Sequence, residues 1–189
     1  MGIAEIFGAV SGLLYVFLEI RQNKFMWIVG GISALVYLVV FFDSALYASF
    51  GLQLYYVWAS VYGWVKWNRL STNATAEDPA VYPLAGYKAF LSCIVATAGF
   101  AVLWYILANF TEDPMPVLDA MIASLSMLAT YWVANKYIQH WMLWIVADVM
   151  AVYMYLSQGL YATVVLYFIY IIAAIAGFWH WRKFTKVLD

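Results

Sequence analysis

Apolar residues form long stretches along this chain, and short clusters of charged or turn-forming residues separate them. A bilayer core of about 30 Å requires roughly 20 helical residues, so each stretch is long enough to cross a membrane. The pattern predicts seven membrane-spanning helices, at residues 3–20, 26–42, 45–66, 86–109, 116–134, 139–156 and 159–181. The polar connection at 67–84 is the longest, and we expect it to act as a hinge between two halves.

The composition is typical of a chain that is solvated by lipid. Hydrophobic residues make up 67% of the 189 residues, and charged residues only 10%. A soluble domain has about a quarter of its residues charged, so this chain has too few to cover a water-facing surface. The predicted fold class is therefore all-α integral membrane, which excludes a cytosolic enzyme and a secreted disulfide scaffold. A net charge of -1 gives no attraction to nucleic acid, and the single Cys93 has no intrachain partner.

Basic residues segregate to one side of the predicted membrane. If the N-terminus is outside, all nine lysines and arginines fall on the cytoplasmic side, as the positive-inside rule requires. They are Arg21, Lys24, Lys66, Arg69, Lys88, Lys136, Arg182, Lys183 and Lys186. We therefore expect an external N-terminus and a cytoplasmic C-terminus, and the partition supports the count of seven spans.

Two segments of the chain resemble each other at a constant offset of 114 positions. Residues 46–67 and 160–181 share the pairs Leu46/Leu160, Tyr47/Tyr161, Ala48/Ala162, Leu52/Leu166, Tyr56/Tyr170, Ala59/Ala173, Gly63/Gly177 and Trp67/Trp181. Just upstream, MWIV at 26–29 matches LWIV at 143–146, with a small gap between the two blocks. The matches predict that the chain contains two copies of a three-helix unit.

One linker helix between the copies leaves them in the same orientation, a 3+1+3 arrangement. We expect the first repeat at 1–67, the linker loop and fourth helix at 68–115, and the second repeat with a basic cytoplasmic tail at 116–189. Parallel repeats related by an axis along the membrane normal are a transporter architecture, with the substrate bound near the midplane between the copies. Such repeats also occur in receptors and structural bundles.

Asp148 lies in the middle of the sixth predicted span, near the bilayer centre. A lone carboxylate at that depth costs on the order of 3 kcal/mol, and no basic residue is predicted at the same level. A carboxylate that faces a polar cavity would accept hydrogen bonds or a positive charge from a solute, which explains its presence. The alternative is a protonated or hydrogen-bonded structural carboxyl.

Two tryptophans share a helical face with this acid, since Trp141, Trp144 and Asp148 are spaced i, i+3 and i+7. Flat indoles one turn from a carboxylate suit a planar cationic heterocycle, through stacking, cation–π attraction and charge pairing. For Trp141 the alternative is an ordinary interfacial position near the cytoplasmic end of the span.

A second polar stripe follows the third span. Gln53, Tyr56 and Ser60 lie on one face, and a glutamine side chain both donates and accepts hydrogen bonds. A buried glutamine also joins helices to one another, which is the alternative for Gln53. The matching stripe on the seventh span carries Tyr167 and Tyr170. The candidate substrate-binding residues are therefore Asp148, Trp144, Gln53, Tyr56, Tyr170, Trp141, Tyr167 and Ser60.

Other chemistry has little support in the sequence. The chain has no glycine-rich phosphate loop and no HExxH motif, and His140 and His180 lie near span ends without a metal-binding cluster. We expect no catalytic residue, no metal and no cofactor. A retinal protein needs a lysine in its last span, and residues 159–181 contain none. Gly63 and Gly177 are expected to be points of close helix packing.

Two of these blocks resemble a known family, the PnuC-type vitamin transporters. Leu52-Gln53, Tyr62-Gly63 and Trp67 resemble the pattern of the family's third helix, with Trp67 one position further on. Lys136-Tyr137, Trp141, Trp144 and Asp148 resemble the pattern of its sixth helix. The LYA turns at 46–48 and 160–162 match as well, so the similarity covers nearly the whole chain.

The resemblance implies a 3+1+3 bundle that is distantly similar to the sugar-transporting SWEET proteins. It also implies facilitated diffusion of an unphosphorylated vitamin by a homotrimer in the bacterial inner membrane, with a cytosolic kinase that traps the substrate. We expect alternating access about a site between the second, third, sixth and seventh spans. The rival function is a membrane sensor or scaffold that binds a ligand without transporting it.

The vitamin itself is predicted from smaller differences. Nicotinamide riboside carriers of this family usually have asparagine where this chain has Asp148, and the segments WIVADV and LYFIYIIAAIAGFWHW look more like the thiamine-type branch. Thiamine is therefore the favoured substrate, with nicotinamide riboside as the alternative and a riboflavin-like solute as a third. Thiamine and nicotinamide riboside are both permanently cationic aromatic solutes, so a carboxylate at the midplane suits either.

Overall fold

A computed structural model describes residues 3–43, 47–73 and 81–185 of the chain, and these residues form seven helices. They are α1 (Ile3–Ile20), α2 (Met26–Asp43), α3 (Tyr47–Asn73), α4 (Gly86–Phe110), α5 (Pro116–Ala134), α6 (His140–Ser157) and α7 (Tyr161–Arg182). The predicted all-α fold is confirmed. The helix bounds agree with the predicted spans except that α3 continues to Asn73, beyond its predicted end at residue 66.

Five of these helices, α1, α4, α5, α6 and α7, are long and apolar enough to cross a bilayer on their own. The apolar part of α2, Met26–Phe42, is slightly shorter. Helix α3 is rich in tyrosine and tryptophan, and it packs against α2 and α5. Helix α1 packs against α2 and α7. The two repeats therefore meet along two seams, one between α1 and α7 and the other between α3 and α5.

The two repeats coincide in backbone detail at the offset of 114 positions. The bounds of α6 equal those of α2 shifted by that offset, and Gln22 and Lys136 both adopt positive φ, 53° and 56°. The two turns contain equivalent hydrogen bonds: Asn23 N donates to Leu18 O (2.9 Å), and Tyr137 N donates to Trp132 O (3.0 Å). No gap separates the blocks, so the predicted match of 26–29 with 143–146 is wrong.

Equivalent tryptophans and glycines pack the inside of each repeat, and the Trp67 and Trp181 rings, 6.3 Å apart, link the two repeats. In each repeat a tryptophan of the second helix lies flat on a glycine of the third helix: Trp27 on Gly63, and Trp141 on Gly177. Trp67 and Trp181 complete the cluster, with the rings of Trp27 and Trp67 edge to face at 5.7 Å, like those of Trp141 and Trp181. The prediction that both glycines are close-packing points agrees with this geometry.

Gly63→Ala should therefore destabilise the bundle, because a Cβ atom would overlap the Trp27 indole. Overpacking of this kind costs about 1–3 kcal/mol, more than the helix propensity that alanine gains. Thermal unfolding in detergent measures the change. Gly51→Ala in the same helix is the control, since no atom lies within 4 Å of its added Cβ, and its melting temperature should not fall. Equal melting temperatures for the two variants would contradict this packing account.

Helix α4 lies at the periphery of the bundle. It packs chiefly against α5, and none of its side chains is buried. Its role as the linker between the repeats is topological, because α4 adds no residue to the buried core described for the other helices.

The end of the predicted hinge is fixed to the second repeat. Residues 74–80 lie outside the described part of the chain, but Val81 is fully buried and Tyr82 pairs with the α5–α6 turn. The Tyr82 amide donates to Lys136 O (2.9 Å), and the Ile138 amide donates to Tyr82 O (3.2 Å). The described part of the connection is therefore packed structure and not a free linker.

Four lysines meet at this same end of the bundle. Lys24 donates to Asn68 (2.6 Å), Lys66 donates to Asn135, and Lys88 donates to the Tyr137 hydroxyl (3.2 Å). Lys136 lies 4.6 Å above the Trp67 ring, and burial lowers the pKa of its ammonium group. The position of these four lysines at one end of the bundle agrees with the predicted segregation of basic residues. The side of the membrane stays a prediction, and Lys186 in the basic tail and the paired Leu46 lie outside the described residues.

Candidate functional site

Two adjoining hollows occupy the centre of the bundle. One has a volume of about 240 Å³ and is lined by the buried acids Glu19 and Asp148, so we call it the acidic chamber. The other has a volume of about 360 Å³ and is called the hydroxyl chamber. Six residues line both: Gly12, Tyr15, Tyr56, Trp144, Tyr167 and Tyr170. Because the shared walls lie on α1, α3, α6 and α7, the two hollows adjoin and are described together as one site.

The eight candidate binding residues all line this site. Asp148 and Trp141 belong to the acidic chamber, and Gln53 and Ser60 to the hydroxyl chamber. The remaining four, Tyr56, Trp144, Tyr167 and Tyr170, stand on the shared walls. The structure therefore brings together residues that lie up to 117 positions apart in the chain (Gln53 and Tyr170). Their contact with a substrate stays a prediction.

Asp148 faces the cavity and is only 6% exposed. Among the residues that the structure describes, no lysine or arginine forms an ion pair with it. Its counterpart in the first repeat is Ala34, also buried, so the carboxylate is present in one repeat only. Burial of an acid without a basic partner is costly, and a small apolar residue serves the same packing position in the other repeat.

The aromatic side chains that line the site differ in their burial and in their contacts. Trp141 is fully buried and its ring packs on Gly177, so its predicted alternative, an ordinary interfacial position, is wrong. Trp144 is half-buried and borders both chambers. Tyr167 and Tyr170 meet edge to face at 5.6 Å, and the Tyr170 hydroxyl lies in the notch at Gly12, where α7 approaches α1.

Helices α1 and α5 also line the site, although the sequence predicted a site between the second, third, sixth and seventh spans. The sequence analysis missed the polar and aromatic side chains that α1, α2 and α5 contribute to the chambers. They are Ser11, Tyr15, Glu19, Trp27, Ser33, Tyr37, Ser126 and Thr130. Glu19 is a second buried acid in the acidic chamber, 2% exposed. The sequence carried a signal for it, because Gly12, Tyr15 and Glu19 have the same i, i+3, i+7 spacing as Trp141, Trp144 and Asp148.

This site can bind a small, flat, positively charged molecule. Aromatic rings provide stacking surfaces, the Asp148 carboxylate provides charge, and serine, threonine and glutamine side chains exchange hydrogen bonds with polar groups. The described residues contain no cluster that could hold a metal ion. Two parallel helix repeats around a central cavity are an architecture of membrane transporters of small molecules.

Comparison with known proteins identifies the family. The family model described as "Nicotinamide mononucleotide transporter" matches residues 2–183, and the chain belongs to this family. The nicotinamide riboside transporter PnuC of Escherichia coli is 26% identical, over 94% of this chain and 84% of its own. The riboflavin/roseoflavin transporter RibM of Streptomyces davaonensis is also 26% identical, over the same shares. A crystal structure of the vitamin B3 transporter PnuC has the same fold, with a TM-score of 0.72 and 23% identity over 94% of this chain and 80% of that one.

These findings confirm the predicted resemblance to PnuC-type transporters and a transporter rather than an enzyme. The chain is a multi-pass vitamin transporter of this family. The favoured thiamine branch finds no support in them, since the similar relatives are named for nicotinamide riboside and for riboflavin. The carboxylate of Asp148 does not separate these substrates, because it suits thiamine and nicotinamide riboside equally.

Proposed function

We propose that this protein carries nicotinamide riboside across the membrane by facilitated diffusion. The observation that carries the proposal is the Asp148 carboxylate, which lies inside an aromatic-walled cavity and has no basic partner among the described residues. Nicotinamide riboside is a pyridinium, and its single permanent positive charge complements one carboxylate. The relatives that are named nicotinamide riboside transporter, such as PnuC of Escherichia coli, support the same substrate.

The two chambers suit the two halves of this molecule. The flat nicotinamide ring fits the acidic chamber, where Trp141, Trp144 and Asp148 supply stacking and charge. The ribose fits the hydroxyl chamber, where its hydroxyl groups meet polar side chains: Ser11, Ser33, Gln53, Ser60 and Thr130. Trp144 on the shared wall would contact both halves.

Transport follows from the repeat architecture. The two three-helix units rock about the central site and expose it alternately to the two sides, with net flow down the gradient of free substrate. We further propose a homotrimer in the bacterial inner membrane with its N-terminus outside, and a cytosolic kinase that traps the substrate by phosphorylation. A carrier of this kind needs no energy source.

Uptake into proteoliposomes tests the proposal. Purified protein should equilibrate radiolabelled nicotinamide riboside across a sealed bilayer, while protein-free liposomes should not. Unlabelled nicotinamide riboside should compete more strongly than thiamine or riboflavin. Stoichiometric binding without equilibration would instead identify a sensor or scaffold, and stronger competition by thiamine or riboflavin would replace the proposed substrate.

A further inference from the structure

A buried acid–base pair joins the two repeats at the wall of the acidic chamber. Glu19 is the penultimate residue of α1, and His140 is the first residue of α6. Glu19 Oε1 lies 3.1 Å from His140 Nε2, and the two side chains are 2% and 0% exposed. The Trp181 indole N–H donates to the Glu19 carbonyl oxygen (3.0 Å), which fixes the end of α1 beside the cavity.

The surroundings of His140 decide where its protons lie. Its Nδ1 is 2.7 Å from the Tyr137 carbonyl oxygen, and a carbonyl oxygen only accepts, so Nδ1 must carry a hydrogen. A neutral ring would then present a lone pair to the Glu19 carboxylate. A protonated ring would instead form an ion pair with the carboxylate across the 3.1 Å between Nε2 and Oε1, and such a pair is electrically neutral as a whole. The rings of Trp141 and Trp181, at 4.5 and 4.7 Å, are placed to stabilise an imidazolium.

The internal repeat shows that packing alone does not require this pair. At the offset of 114 positions, Glu19 corresponds to Val133 and His140 corresponds to Met26. Val133 and Met26 are fully buried members of the apolar core, and neither lines the chambers. The two positions that correspond to Glu19 and His140 are therefore filled by apolar side chains. Only the half that borders the acidic chamber carries the polar pair.

We infer that Glu19 is a second acidic contact of the substrate site, with His140 as the residue that positions its carboxylate. The inference rests on the proposed function and extends it. Because His140 balances the charge of Glu19, Asp148 remains the single charge that pairs with the cation. Glu19 then acts as a hydrogen-bond acceptor, and the donor in the acidic chamber is the carboxamide N–H of the nicotinamide ring.

Two ligands and one double variant test this inference. Glu19→Val with His140→Met transplants the apolar pair of the other repeat, so we expect it to fold. Calorimetry on purified protein compares nicotinamide riboside with 3-acetylpyridine riboside, which keeps the charge, ribose and shape but has a methyl group in place of the amide NH₂. The double variant should lose about 10-fold or more in affinity for nicotinamide riboside, the value of one hydrogen bond to a charged group. Its affinity for the acetyl analogue should stay within about 3-fold of the wild type.

The controls separate a substrate contact from a structural role. Val133→Ala removes packing at the equivalent junction away from the chambers, so it should lower thermal stability and leave both affinities unchanged. Equal losses for both ligands in the double variant, or no loss for either, would overturn the role of Glu19. So would a wild type that binds the two ligands equally. Failure of the wild type to bind nicotinamide riboside at all would instead refute the proposed function, and this inference with it.

Discussion

Replacing Asp148 by asparagine should weaken the binding of nicotinamide riboside by a factor of about 30 or more. Removing one partner of a desolvated charge pair costs about 2 kcal/mol or more, because the other charge is left buried and unpaired. The side chain keeps its size, and Asp148 has no ion pair in the described structure that folding would lose. Binding calorimetry in detergent measures the loss, and thermal unfolding should show an unchanged or raised melting temperature.

Asp119→Asn is the matched control, since Asp119 is also an acid of a membrane helix, in the first turn of α5, and does not line the chambers. Its affinity for substrate should equal that of the wild type. If Asp148→Asn kept full affinity, the carboxylate would have no part in cation binding, and the proposed substrate class would lose its main support.

Trp144→Ala should raise the KM for uptake about 10-fold. This indole borders both chambers, so its removal takes away a stacking and cation–π surface of the site. Such a surface contributes on the order of 1–2 kcal/mol when it is desolvated. Initial rates of uptake into proteoliposomes over a range of substrate concentrations measure the change.

Trp179→Ala makes the same chemical change on the outer surface of α7, where the side chain is 57% exposed. Its KM should stay at the wild-type value. A similar rise in KM for both variants would assign the effect to a general loss of aromatic packing, and an unchanged KM for Trp144→Ala would remove this residue from the site.

The agreement between the predicted and observed site has a simple physical origin. A helix places residues at i, i+3 and i+7 on one face whatever it packs against, so the stripes of Gln53 with Tyr56 and of Trp144 with Asp148 were readable in advance. The bilayer adds a second constraint. A carboxylate or an amide is too costly in hydrocarbon to point outward, so these faces had to turn towards the bundle interior.

The same reasoning failed at the ends of spans, where water and protein compete for a side chain. Glu19 lies two positions before Arg21, in a place where an acid is normally solvated, and only the approach of α6 and α7 buries it. The predicted match of 26–29 with 143–146 failed for a different reason. Apolar strings such as MWIV recur by chance, whereas the positive-φ turns at Gln22 and Lys136 fix the equivalence in space.

Hydropathy and periodicity determined that this chain is a bundle of membrane helices with polar stripes facing inward, because the solvent imposes both properties on each helix separately. Residue matches at a constant offset determined that the bundle has two related halves. Which helices close the cavity was decided by tertiary structure. The partnership of Glu19 with His140 depends on a contact across 121 positions of sequence, and the walls that the two chambers share come from four different helices. No single helix contains that information.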